Sequence, residues 1–138
     1  MKTLYEARAS ATGGRSGRVT TDDGALDVSL TMPKALGGAG GPGTNPEQLF
    51  ACGYAACFDN ALIYTARQRK IALTSSRVDA TVAIGPNDQG GFALAVKLEI
   101  SLPDLPREAA QSLIEQAHAV CPYSNAVRGN VDVELILR

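Results

Sequence analysis

The sequence predicts an α+β fold: antiparallel sheets packed on two main helices. Three observations carry that prediction. Apolar residues alternate at period two in several short stretches, the signature of half-buried strands. The stretch Gly43–Lys70 opens with helix-start chemistry and is apolar on nearly all sides, so it must be a buried helix. The order of elements is strands, helix, two strands, helix, strand, which is an α+β order. At 138 residues, a single domain spanning 1–138 is expected.

In chain order, Thr3 to Thr12 reads as a strand and Gly13-Gly14-Arg15-Ser16-Gly17 as a turn carrying a charge. Arg18 to Thr21 can pair back, and Leu26, Val28 and Leu30 alternate with polar residues, completing a meander. Pro33 to Gly43 is a glycine-rich connector. It contains a formal G-x-G-x-x-G at 38–43, but Pro42 interrupts it and the helix starts later, so a dinucleotide-binding turn is not expected. The long helix starts either with Asn45 as cap and Pro46 at the first position, or through a Thr44/Glu47 capping box, and should end near Lys70. Arg77 to Ile84 and Phe92 to Leu102 form a hairpin around 85–91. Asp104 and Pro106 open a second helix with the stripe Ala109, Ala110, Leu113, Ile114, Ala117 and Val120. Pro122 stops it and leaves Cys121 at the boundary. Ser124 and Asn125 belong to a short turn or helix, and Val131, Val133, Leu135 and Leu137 make the last strand.

A formal charge of −1 gives no electrostatic reason to expect nucleic acid or an anionic membrane as partner, and the absence of tryptophan argues against base stacking. The start has no signal-peptide run, and the apolar run Leu49–Phe58 breaks at Asp59, far short of a membrane span. A cytoplasmic setting is expected, where structural disulfides are rare. Three cysteines and His118 match a zinc set by count, but their spacing does not support a metal site.

Cys52 and Cys57 lie five apart on one helix, about 7.5 Å of rise and some 140° of rotation, so they should not pair while the helix is intact. Cys121 is the plausible disulfide partner for either. Small and aromatic neighbours at one helical turn slightly favour Cys57 as the reactive thiol, although inert packed cysteines fit the same pattern. A buried cysteine needs a cation to ionise. Arg15, flanked by glycines, is the leading candidate, with Arg128 and Lys70 as rivals.

At GTNPEQLFACGYAACF and AHAVCPYSNAVRGN the sequence resembles the organic hydroperoxide resistance (Ohr) family within the Ohr/OsmC group; GGRSG, LGGAGGPGTNPEQLF and the closing NVDV match as well. The resemblance implies an interlocked homodimer and a thiol peroxidase without metal, flavin or haem. It implies Cys57 as the peroxidatic cysteine, Cys121 as the resolving cysteine, Arg15 as the motif arginine and Glu47 as its partner. Cys52 stands where relatives commonly carry alanine and inherits no role. The implied cycle takes Cys57 through a sulfenic acid to a Cys57–Cys121 disulfide, which a dithiol, a protein-bound lipoyl group, reduces. The partners implied are an organic hydroperoxide, that reductant and a second copy of the chain.

Glu47 and Cys57 are ten residues apart, about 15 Å along a straight helix. Either the helix bends, at Gly53, or Arg15 and Glu47 come from the partner subunit, and the second is expected. Phe50, Tyr54 and Phe58 would give a greasy wall favouring alkyl and fatty-acid hydroperoxides, or else they are core. The alternative from another class is a non-catalytic apolar-ligand or scaffold domain with packed cysteines.

Overall fold

Period-two alternation becomes two three-stranded sheets in the computed structural model, which describes residues 1–138. The chain divides into two compact units, Met1–Leu49 and Phe50–Arg138.

In Met1–Leu49, β1 (Ala9–Thr12), β2 (Arg18–Thr21) and β3 (Asp27–Ser29) form the expected antiparallel meander. The first strand is shorter than Thr3–Thr12, because β2 spans four residues and its register is used up at Ala9↔Thr21. Leu4 and Tyr5 lie outside the ladder and are exposed. The Pro33–Gly43 connector is tightly folded: Gly40 N–H donates to Met32 C=O (3.2 Å), Gly38 N–H to Pro33 C=O (3.0 Å), and the Thr31 hydroxyl to Pro42 C=O (2.6 Å). A parallel bridge between Leu30 and Thr44 then delivers the chain to α1, Pro46–Gln68. Asn45 caps this helix, its side-chain oxygen accepting from Gln48 N–H at 2.8 Å. The capping-box alternative is not used: the Thr44 hydroxyl goes to Gln48 and the Glu47 carboxylate goes elsewhere.

In Phe50–Arg138, β4 (Arg77–Pro86) and β5 (Phe92–Ser101) pair antiparallel over ten residues. Their register brings Val78, Ala80 and Val82 opposite Ile100, Leu98 and Val96 on one face. β6 (Asp132–Leu137) adds Val133, Leu135 and Leu137 beside the same three β5 residues, but in parallel. This corrects the purely antiparallel expectation for that strand. Parallel neighbours need a crossover, and α2 (Arg107–Val120) with α3 (Pro122–Val127) supplies it. The core forms where this sheet face meets Tyr54, Phe58, Ala61, Leu62 and Ala66 of α1 and Ala110, Leu113, Ile114 and Ala117 of α2. Phe92 and Val120, at the ends of their apolar patterns, are exposed.

α1 ends at Gln68 with Lys70 in the left-handed region at φ 57°, close to the expected end. No helix is long and apolar enough to cross a membrane.

Candidate active site: a thiol pair and an arginine–glutamate pair

Cys121 owes its position to its neighbour. A residue before proline is pushed out of the helical region. Cys121 sits at φ −62°, ψ 122°, ending α2 while capping α3, and Pro122 takes the first helical position of α3. The continuing stripe Ala117, Cys121, Ser124 and Val127 turns inward, so the Cys121 sulfur is buried in the core.

Cys57 reaches the same place from the middle of α1, where it is half-buried against that core. The two sulfurs are 3.6 Å apart, and all three cysteines are free thiols. Cys52 is exposed on α1.

Gly53, one turn before Cys57, makes room for the Tyr123 ring. A Cβ there would stand 2.8 Å from the Tyr123 hydroxyl oxygen and 3.1 Å from Cε2. That ring packs tilted against Phe50 at 6.1 Å and Tyr54 at 5.8 Å between centroids. Tyr54 and Phe58 are fully buried, so they belong to the core rather than to a substrate-facing wall; Phe50 is partly buried.

Electrostatics within this unit oppose ionisation of Cys57. Burial pushes its thiol up, the Tyr123 backbone N–H pulls it part of the way back, and the adjacent Cys121 thiol pushes it up again. No cation of Phe50–Arg138 enters that balance. Arg128, a rival for the role, is engaged with the Asn125 side chain and with His118 C=O at 2.6 Å.

Met1–Leu49 contains the second pair. Gly13 (φ 72°) and Gly17 close a 3-10 turn over Gly14–Ser16 so tightly that a Cβ at Gly17 would fall 1.7 Å from Thr12 C=O. The turn presents Arg15 to Glu47, in the first turn of α1, as a fork-to-fork ion pair with N–O distances of 2.7 and 2.6 Å. Both side chains are largely covered, at 28% and 13% exposed. The Arg15 hydrogen bonds hold the Glu47 carboxyl below its usual range, with burial opposing.

The fold therefore brings Cys57 to Cys121 and Arg15 to Glu47. A family model described as OsmC-like protein matches residues 37–136. The chain is also 53% identical over 137 residues to an organic hydroperoxide resistance protein of Xanthomonas axonopodis pv. citri, covering 99% of this chain and 96% of the relative. The chain belongs to the OsmC-like family, in its organic hydroperoxide resistance branch. Solved Ohr structures agree in fold. One from Vibrio cholerae, with captopril bound in one of the active sites, is 54% identical and superposes with a TM-score of 0.94 over 99% of this chain and 94% of that one. One from Legionella pneumophila is 48% identical, with a TM-score of 0.95 over 99% and 98%.

Sequence reasoning on this Ohr-family chain missed the polar residues behind the thiols. The fully buried Ser124 hydroxyl lies 2.8 Å from the Tyr54 hydroxyl and 2.9 Å from His118 Nδ1. The available signal was a serine standing at an inward position of an otherwise apolar stripe. His118, weighed above only as a metal ligand, is a member of this chain of hydrogen bonds, and burial holds its imidazole below the usual histidine range.

Proposed function

We propose that this Ohr-family protein is a thiol peroxidase that reduces organic hydroperoxides, acting as one functional domain over residues 1–138 and as a homodimer in the reducing cytoplasm. The Cys57 thiolate attacks the terminal oxygen of ROOH; the S–O bond forms as the O–O bond breaks, and the alkoxide takes a proton to leave as alcohol. Cys121 then displaces the hydroxyl of the Cys57 sulfenic acid, forming the disulfide and water. A dithiol of the lipoyl type returns both thiols by exchange. The observation that carries this reading is the 3.6 Å approach of two free thiols from separate elements, close enough for a small movement to bond them.

Arg15 is assigned to ionising Cys57 and to the developing negative charge on the peroxide oxygens. Two of its N–H groups go to Glu47, which leaves the remaining guanidinium donors for substrate. Delivery of Arg15 and Glu47 from the partner subunit is part of the proposal. The half-buried Phe50, together with the Tyr123 ring, favours alkyl and fatty-acid hydroperoxides through apolar burial, at about 25 cal/mol per Å².

A second reading, an inert domain with packed thiols, draws support from the upward push of burial on Cys57. Steady-state turnover of tert-butyl hydroperoxide with dihydrolipoyl reductant separates the two. Cys57→Ser and Cys121→Ser should each abolish turnover, and Cys52→Ser should keep it. Absence of turnover in the unmodified chain would establish the inert reading.

A further inference from the structure

Tyr54 and Cys57 are three residues apart on α1, and Cys121 and Ser124 are three apart across the start of α3. The Tyr54–Ser124 hydrogen bond at 2.8 Å and the Cys57–Cys121 approach at 3.6 Å are therefore successive rungs between two segments running in opposite directions. From the other side His118, three residues before Cys121, bonds the same Ser124 hydroxyl at 2.9 Å. Cys121 is thus bracketed at −3 and +3 by two residues joined to each other. Arg128 ties down the His118 carbonyl at 2.6 Å.

Tyr54 and Ser124 are fully buried, so neither meets substrate. A serine and a tyrosine hydroxyl placed in an apolar core cost free energy unless both are satisfied, and here each satisfies the other.

We infer that the Tyr54–Ser124–His118 chain is a positioning device for the second half of the cycle, holding the Cys121 sulfur against Cys57 so that the sulfenic acid is captured before it is oxidised further. This rests on the thiol-peroxidase reading above. In the step concerned the Cys121 sulfur attacks the Cys57 sulfenic sulfur. The S–S bond forms, the S–O bond breaks, and the hydroxyl leaves as water with the Cys121 proton, so no external oxidant or reductant is required. No hydrogen bond runs from this chain of residues to either sulfur. The chain therefore acts on disulfide formation and not on the attack on peroxide.

Tyr54→Phe keeps the ring and removes one rung; Ser124→Ala removes the bridging hydroxyl. Reduced protein is mixed with one equivalent of tert-butyl hydroperoxide, quenched at successive times with a sulfenate trap and a thiol-blocking reagent, and read by mass spectrometry. Both variants should consume peroxide at the rate of the unaltered chain. Disulfide should form at least about tenfold more slowly, with trapped sulfenate accumulating and Cys57 sulfinate appearing under excess peroxide. Disulfide formation at the original rate in Tyr54→Phe would overturn the inference, as would an equal slowing of attack and disulfide formation, which marks general loosening of the fold. Should Ser124→Ala fail to fold, Tyr54→Phe alone decides. Failure of the unaltered chain to form any Cys57–Cys121 disulfide would instead overturn the peroxidase reading.

Discussion

Oxidation should make this protein more stable, by an amount that follows from where the two cysteines stand. A Cys57–Cys121 bridge closes a loop of about 65 residues, which in the chain-entropy model stabilises by about 4 kcal/mol. The native state gives part of that back. The sulfurs must close from 3.6 Å to about 2.05 Å, and Cys121 is packed without exposure in the core, so the shift costs about 1–3 kcal/mol, as other forced movements in packed cores do. The net is about 1–3 kcal/mol, or a Tm higher by roughly 4–12 °C for a chain of this size. Calorimetry on protein oxidised with one equivalent of hydroperoxide, then on the same sample after dihydrolipoyl treatment, measures the difference directly. Cys121→Ser should show no shift. An oxidised form melting at or below the reduced one would mean that this core cannot accommodate the bond, and a disulfide-based cycle would lose its physical basis.

Two further expectations concern the ion pair. Arg15→Ala should lower kcat/KM for hydroperoxide by about 10²–10³-fold, the usual effect of removing a donor to developing negative charge, and should slow alkylation of Cys57 at neutral pH; Arg15→Lys should recover little, because an ammonium cannot reproduce the two-pronged contact. Glu47→Gln should cost about 2 kcal/mol of stability at neutral pH. Arg15 depresses the Glu47 pKa, so the stabilisation is present above the unfolded carboxyl pKa and fades as pH falls through the folded one; denaturation of the two proteins should converge in acid.

Much of the sheet was legible in the sequence because burial of one face imposes period two. Alternation puts Val78, Ala80 and Val82 on one face and Val96, Leu98 and Ile100 on one face; which of them pair is decided by the hairpin register. The direction of β6 was not legible, since Val133, Leu135 and Leu137 alternate identically in either direction; the α2–α3 crossover decides it. The shortening of β1 depended on where its partner ends, a non-local fact. Within the candidate site, Cys121 could be placed at a helix boundary from Pro122, whereas the hydrogen bonds of Tyr54, Ser124 and His118 depend on a turn that folds His118 onto Ser124 and on a Tyr54–Ser124 contact 70 residues apart, and left only the inward serine as a trace.

The electrostatics of Cys57 follow the rule expected from the sequence, that a buried cysteine needs a cation to ionise. Burial in Phe50–Arg138 pushes the thiol up. A guanidinium close to a thiolate favours the anion, and a carboxylate paired to that guanidinium from farther off takes part of the field back. On the proposal that Arg15 serves Cys57, its pairing with Glu47 therefore weakens its field on the sulfur. What it provides in return is direction: a guanidinium locked at two points by hydrogen bonds of 2.7 and 2.6 Å cannot spend its remaining donors in random orientations. For a reaction in which charge moves from sulfur to a departing oxygen, a fixed donor that meets the transition state is worth more than a stronger field spread over many geometries, because only stabilisation greater in the transition state than in the ground state raises the rate.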